Sequence, residues 1–137
     1  MIKPVDEIPM NITEQRKSYR TSVRNDIYEA IDKGILKFEF VGDYNFSTLQ
    51  ATAREEAESI IIERIRKWLN ENPQYKQYVS YVYSKYYKFN KIKHAIRITS
   101  TKGTTPKERR VFCEINPDME KPFKEFTEEE ILNKNHV

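Results

Sequence analysis

The chain has 137 residues, a length typical of one domain with a single hydrophobic core. Hydrophobic residues make up 38% and charged residues 33% of it, a composition that is polar for a globular protein but too apolar for a disordered one. No stretch approaches the roughly 18 apolar residues of a membrane span, the first residues lack the apolar core of a signal peptide, and the single cysteine excludes an internal disulfide. We therefore expect a cytoplasmic protein with no membrane segment.

The formal net charge of +3 is distributed unevenly along the chain. Residues 76–112 carry ten basic side chains and only one acidic one, whereas the segments on either side are net acidic. Such a block of positive charge is typical of a surface that meets an anionic partner.

The first predicted elements are an arm, a helix and a strand. Two prolines within residues 1–12 predict an extended N-terminal arm. A 3.6-residue apolar period predicts a helix from about Thr13 to Lys33, and Gly34 follows where a left-handed residue ends a helix. The strand after it is predicted to bury Leu36, Phe38 and Phe40, which alternate with other side chains.

The second helix has a clear start signal. Ser47 is predicted as its N-cap, with Gln50 three residues later completing a capping box, and Pro73 marks its end. Residues 75–89 fit both a helical face and a strand rich in tyrosine and valine. We favour a helix there, because a two-residue period leaves neither face consistently polar.

The last part of the chain predicts a hairpin and a short helix. Residues 96–99 and 111–115 alternate between apolar and polar side chains on either side of a polar loop, which indicates two antiparallel strands. Thr127 and Glu130 form a second capping box, so we expect a helix that ends near Asn133 and a disordered tail over 134–137.

Together these elements predict an α+β fold in a single domain over residues 13–133. The expected architecture is a small three-stranded antiparallel or mixed sheet with long amphipathic helices packed on one face.

The sequence offers little for catalysis. It has two histidines, of which His136 lies one residue from the end, and it contains no nucleophile elbow, phosphate-binding glycine loop or metal-binding His pair. Cys113 shares a strand face with Val111 and Ile115, which predicts a buried structural thiol. We expect a non-enzymatic protein with no cofactor and no metal site, and a simple turn at Pro117 and Asp118.

The basic block is the main candidate site. Cations neutralise phosphates and aromatic faces stack unpaired bases, so its mixture of lysine, arginine and tyrosine is typical of a nucleic-acid-binding surface. The alternative is that the tyrosines belong to the core and its rim and that the lysines are a solvated surface. The candidate binding residues of this block are Lys85, Lys88, Lys91, Lys93, Arg97, Lys102, Lys107, Arg109 and Arg110.

A second basic cluster lies on the first predicted helix. Arg16, Arg20 and Arg24 recur every four residues and therefore share one helical face. A row of arginines can follow a phosphate backbone, but it can equally pair with Asp26, Glu29 or the acidic tail.

Two segments resemble a known group of proteins. The opening MIKPVDEIP and the stretch SYRTSVRNDIYEAIDKGILKFEFVGDYNFSTLQATAREEAE are similar to small uncharacterised proteins of phages and integrative elements of Gram-positive gut bacteria. The resemblance covers roughly the first 60 residues and implies a mobile-element context, in which small proteins are DNA-binding accessory factors, transcriptional modulators or inhibitors of host defence.

Two hypotheses follow. The first is a non-enzymatic accessory protein that binds nucleic acid, with DNA favoured over RNA, through its basic and tyrosine-rich surface. The alternative is a protein-interaction inhibitor of a host defence factor, such as an anti-CRISPR protein. The hypotheses differ in whether the basic side chains must form one continuous surface.

Overall fold

The computed structural model describes residues 11–90 and 95–126, and for residues 87–90 it describes the backbone. The elements in chain order are α1 (Ile12–Lys33), β1 (Lys37–Glu39), α2 (Phe46–Glu71), a 3₁₀ helix (Pro73–Tyr78), α3 (Val79–Asn90), β2 (Ile96–Thr101), a 3₁₀ turn (Pro106–Glu108), β3 (Arg110–Ile115) and α4 (Lys121–Lys124). The predicted C-terminal helix at Thr127 and the tail lie outside the described residues, as does the predicted arm up to residue 10. No helix in the described ranges is long and apolar enough to cross a bilayer.

The strands form one antiparallel sheet in the order β1-β3-β2. β2 and β3 are hairpin neighbours with Ile96 opposite Ile115, and β1 adds to the other side of β3 with Phe38 opposite Cys113. The predicted α+β fold with a three-stranded sheet is therefore confirmed, and of the two predicted sheet types the antiparallel one is present.

The two faces of the sheet differ in character. Val111, Cys113 and Ile115 are buried on the inner face, where α2 packs against β2 and β3 and α1 packs in turn on α2. The alternate side chains of β3 point to the outer face, where Arg110 and Glu114 are exposed. The predicted packing of helices against one face is confirmed.

The end of α1 follows the prediction. Gly34 adopts a left-handed conformation with φ 70°, and its N–H donates to the carbonyls of Ala30 and Ile31. The N–H of Ile35 donates to the Ala30 carbonyl at 2.9 Å, which completes a Schellman ending. At the other end, Asn11 caps α1 by accepting the Glu14 N–H at 2.9 Å, so the helix begins inside the predicted arm.

The predicted N-cap of α2 was wrong by two residues. Asn45 is the cap, since its backbone is extended and its Oδ1 accepts the Thr48 N–H at 3.1 Å. Ser47 lies inside the helix and is exposed. Asn and Ser are equally good caps in isolation, and the hydroxyl of Tyr19 on α1 also accepts the Asn45 N–H at 3.1 Å, which holds this residue at the helix entrance.

The predicted burial of Leu36 was also wrong. Phe40 is buried and Phe38 is half-buried, but Leu36 is 46% exposed because it precedes β1 at the edge of the sheet. The three-residue strand β1 has no neighbour on its outer side among the described strands.

The helix favoured for residues 75–89 is confirmed as the 3₁₀ helix followed by α3. Trp68 near the end of α2 stacks on Tyr75 and on Phe123, with ring centroids 5.1 and 5.0 Å apart. Phe126 joins this cluster at 5.2 Å from the Trp68 ring. The cluster anchors α4, a short helix that the sequence patterns did not predict.

Candidate nucleic-acid interface

Five candidate cations lie on the β2–β3 hairpin. All five are exposed: Arg97 is on β2, Arg110 begins β3, and the other three lie in the connecting loop. We call Arg97, Lys102, Lys107, Arg109 and Arg110 the hairpin basic surface.

Phe112 occupies the centre of the outer sheet face. The strand register places it between Glu39 on β1 and Thr99 on β2, and its side chain is half-buried. The neighbouring row runs Lys37, Glu114, Arg97 across the three strands. Phe112 was not a candidate from the sequence, although the alternation of β3 already predicts that it points away from the core.

A cleft of about 630 Å³ lies between the hairpin loop and the segment that joins β1 to α2. Lys107, Arg109 and Arg110 line one side of it, and the rings of Tyr44 and Phe46 line the other. The cleft reaches the N-terminus of α2, whose first turn contains no acidic residue, so the positive end of the helix dipole is not offset there.

Two acidic side chains also line this cleft, Glu39 and Asp43. Arg110 Nε lies 3.8 Å from Oε1 of Glu39, which partly neutralises that carboxylate. The three cations and the helix dipole therefore give the cleft an excess of positive charge, and the arrangement can hold an anion such as a phosphate.

Glu108 organises the hairpin loop. Its Oε2 accepts the backbone N–H of Thr104 at 2.8 Å and the hydroxyl of the same residue at 2.9 Å. These hydrogen bonds lower the pKa of the Glu108 carboxyl. A Cβ on Gly103 would lie 1.9 Å from the Cβ of Glu108, so the loop conformation requires glycine at that position. The one acidic side chain of the basic block thus has an identifiable structural role.

The arginine row of α1 faces α2. Arg16 contacts Glu55 at 3.7 Å, Arg20 contacts Glu56 at 3.5 Å, and Arg24 contacts Glu56 at 2.9 Å. Arg24 also binds Glu63, the hydrogen bond that contributes most to raising the Arg24 pKa.

The structure therefore shows glutamates of α2 as partners of the row, and not the Asp26 and Glu29 considered from the sequence. The acidic tail, the third partner considered, lies outside the described residues. Which glutamates lie opposite the row depends on how the two helices pack, and the spacing within α1 carries no information on that. A role of Arg16, Arg20 and Arg24 in binding nucleic acid stays a prediction.

Of the four remaining candidate lysines, the described part of the chain includes the side chain of Lys85. Lys85 Nζ lies 4.8 Å from the centroid of the Phe126 ring and 3.4 Å from the Glu125 carbonyl, next to α4. The side chains of Lys88, Lys91 and Lys93 lie outside the described residues.

The tyrosines between residues 75 and 86 belong to the core and its rim, which is the alternative that the sequence left open. Tyr86 is fully buried, and Tyr75, Tyr78, Tyr81 and Tyr83 are half-buried against the core. The aromatic groups near the hairpin basic surface are instead those of Tyr44, Phe46 and Phe112.

Cys113 is fully buried, as predicted. Burial, together with the nearby charge of Glu114, raises the pKa of its thiol to about 12, so the sulfur stays protonated and unreactive near neutral pH. Within residues 11–90 and 95–126, no three His, Cys, Asp or Glu side chains come together as a metal site. Residues 117–120 form the predicted turn after β3.

No family model matches the chain, and no curated protein or solved structure is significantly similar to it.

Proposed function

We propose that this protein is a non-enzymatic accessory factor of a phage or mobile element that binds nucleic acid, with DNA as the favoured partner. The observation that carries the proposal is the convergence of Lys107, Arg109 and Arg110 on one cleft that also contains aromatic rings and the N-terminus of α2. The binding site is the hairpin basic surface together with this cleft.

Binding is driven mainly by charge. Phosphates that enter the cleft meet guanidinium and ammonium groups and release condensed counterions, which favours association. The α2 dipole adds to the attraction without adding a side chain. Phe112, at the centre of the outer sheet face, offers a ring on which an unpaired base can stack. The protein recognises few base edges, because most of these contacts are to the sugar-phosphate backbone of the nucleic acid.

The test is a fluorescence-anisotropy titration of duplex and single-stranded oligonucleotides at several salt concentrations. Each neutralised phosphate adds roughly −0.9 to the log-log slope of affinity against salt on duplex DNA. Changing Lys102, Lys107, Arg109 and Arg110 together to alanine should flatten the slope by up to about 3.6 units. The melting temperature should stay nearly unchanged, since all four side chains are exposed.

A matched control removes four exposed cations elsewhere. Arg66 and Lys67 lie roughly 30 Å along α2 from its N-terminus, and Lys76 and Lys124 are exposed too. Alanine at these four positions lowers the net charge equally but should leave the salt slope nearly as in the wild type. Absence of binding by micromolar wild-type protein at about 50 mM salt would overturn the proposal.

Phe112→Ala tests the stacking contribution separately. One stacked base contributes about 1–3 kcal/mol, so affinity for single strands should fall about 5- to 150-fold while duplex affinity changes little. An equal loss on both substrates would show that the ring supports the sheet rather than a base.

A second candidate function is binding to a host protein, as an inhibitor of a defence factor such as a CRISPR effector. The observation in its favour is the mixed charge of the outer face, where Glu114 stands between Lys37 and Arg97. Alternating signs suit a complementary protein surface better than a uniformly anionic polymer. This hypothesis predicts a partner that survives nuclease treatment in a pull-down and is lost when the charge of Glu114 or Arg97 is reversed.

A further inference from the structure

Three exposed apolar side chains flank the short strand β1. Ile35 and Leu36 precede it and are 42% and 46% exposed, and Val41 follows it and is 82% exposed. Two other large apolar residues in the described chain are similarly exposed, Ile12 and Val79 on the helices. The clustering at one strand suggests that this edge is covered by a partner.

Within residues 11–90 and 95–126, no strand pairs with the outer side of the β1 backbone. The Leu36 carbonyl accepts the Ile115 N–H at 2.7 Å, and the Phe40 N–H donates to the Val111 carbonyl at 3.0 Å. In an antiparallel ladder the residues between such pairs, here Lys37 and Glu39, direct their N–H and C=O groups to the opposite edge. This edge can therefore accept a further strand.

The sequence around β1 is self-complementary about Phe38. When a second copy runs antiparallel with its Phe38 opposite this one, Lys37 faces Glu39 of the second copy, and the reverse pair forms by symmetry. In the same register Ile35 faces Val41 of the second copy. In this register each lysine lies across from a glutamate, and the exposed apolar side chains lie across from each other.

We infer that a second copy of this chain docks on the free edge of β1, in an antiparallel pair about a two-fold axis through Phe38. The two sheets then form one continuous six-stranded sheet. Charged side chains ordinarily protect an edge strand from pairing, but here their order makes the edge attract its own copy. The inference does not depend on the proposed binding of nucleic acid.

A groove beside β1 can receive the inner-face side chains of the second copy. It has a volume of about 300 Å³ and lies between α1 and β1, with Ala30, Ile35 and Phe38 in its lining. Asp26, Glu29 and Glu39 also line this groove, so it is acidic and attracts the lysine that the second copy places opposite Glu39.

The experiment is sedimentation equilibrium of the full chain over a range of concentrations. The wild type should form dimers, and Lys37→Glu or Glu39→Lys alone should weaken dimerisation at least tenfold, because each places like charges opposite one another. The double variant K37E/E39K restores opposite charges at both positions and should recover the dimer. An equimolar mixture of the two single variants should form the heterodimer in preference to either homodimer.

Melting curves of all variants verify that the outer-face substitutions leave the fold intact. Val41→Lys is an independent test of the interface. Val41 is highly exposed, and a lysine at this position should weaken the dimer because it places a charge opposite Ile35. A wild type that stays monomeric at every concentration overturns the inference. A dimer that is equally stable in the single and double charge variants also overturns it, because the interface then lies elsewhere.

Discussion

Arg24 on α1 donates from Nε to Oε2 of Glu56 on α2 at 2.9 Å, and Glu56 is only 5% exposed. Arg20 approaches the other oxygen of the same carboxylate at 3.5 Å. A buried carboxylate is tolerated only where cations and hydrogen bonds replace the lost water. The arginine row thus stabilises the packing of α1 on α2, and any test of its role in binding must first measure stability.

Arg24→Ala should lower the free energy of unfolding by about 2–3 kcal/mol, because Glu56 loses its closest partner and stays buried. Denaturant titration measures the change. Arg16→Ala is the matched control: its contact with Glu55 spans 3.7 Å between exposed side chains and should contribute less than about 0.5 kcal/mol. If the two variants lose the same free energy of unfolding, Arg24 is not what compensates the burial of the Glu56 carboxylate.

The stability of this interface should depend on pH through Glu63. Hydrogen bonds from Arg24 and Tyr28 hold the pKa of its carboxyl below its ordinary value of 4.5. A carboxyl with a lowered folded-state pKa stabilises the fold above its unfolded pKa, and that contribution is lost as pH falls through the folded value.

The advantage of wild type over Glu63→Gln in urea midpoint should therefore be largest near neutral pH and shrink below about pH 4.5. A pH-independent difference between the two proteins would mean that the carboxylate charge contributes nothing to stability and that Glu63 acts only as a hydrogen-bond acceptor.

Local sequence signals predicted most of the helices and strands. They did not predict which of two nearby residues caps α2, or which apolar side chain near β1 is exposed. Asn45 and Ser47 are both good caps, and the hydroxyl of Tyr19, a residue of another helix, contacts the first of them. Alternation likewise predicted Leu36 to be buried, whereas the end of the sheet leaves it exposed. In both cases tertiary packing decides between locally equivalent choices.

Asn45→Ala should reduce stability by about 1 kcal/mol, because the Thr48 N–H at the start of α2 loses its acceptor. Ser47→Ala should change it by less than about 0.5 kcal/mol, since Ser47 is exposed within the first turn. Denaturant titration of the two variants side by side tests the assignment. A larger effect at Ser47 would contradict the cap described above.

The candidate site shows the same division between local and tertiary information. The hairpin cations are close in sequence, and the hairpin prediction was enough to bring them together. The cleft they line also needs Tyr44 and Phe46, which reach it from the segment after β1. The cluster of Trp68 with Phe123 and Phe126 likewise joins parts of the chain more than 50 residues apart, which no local period reveals.

Trp68→Ala should lower the free energy of unfolding by about 3 kcal/mol, because a large ring is removed from between Tyr75 and Phe123. Phe126→Ala tests the same cluster from the other side and keeps the only tryptophan of the chain as a fluorescent reporter. The fluorescence emission of Trp68 should shift to the red in this variant, because the indole becomes more exposed to water. Unchanged emission together with unchanged stability would show that α4 does not depend on this cluster.

Gly103→Ala connects the loop geometry to the proposed function. The added Cβ would lie 1.9 Å from the Cβ of Glu108, so the loop must move and carry Lys102 and Lys107 out of position. We expect nucleic-acid affinity to fall about tenfold, the loss of roughly one charge-assisted contact, with little change in melting temperature. Thr101→Ala is the control, because it removes an exposed side chain at the end of β2 without entering the contact between Gly103 and Glu108. If Gly103→Ala binds as tightly as Thr101→Ala in the anisotropy titration, the loop conformation is not what positions these lysines.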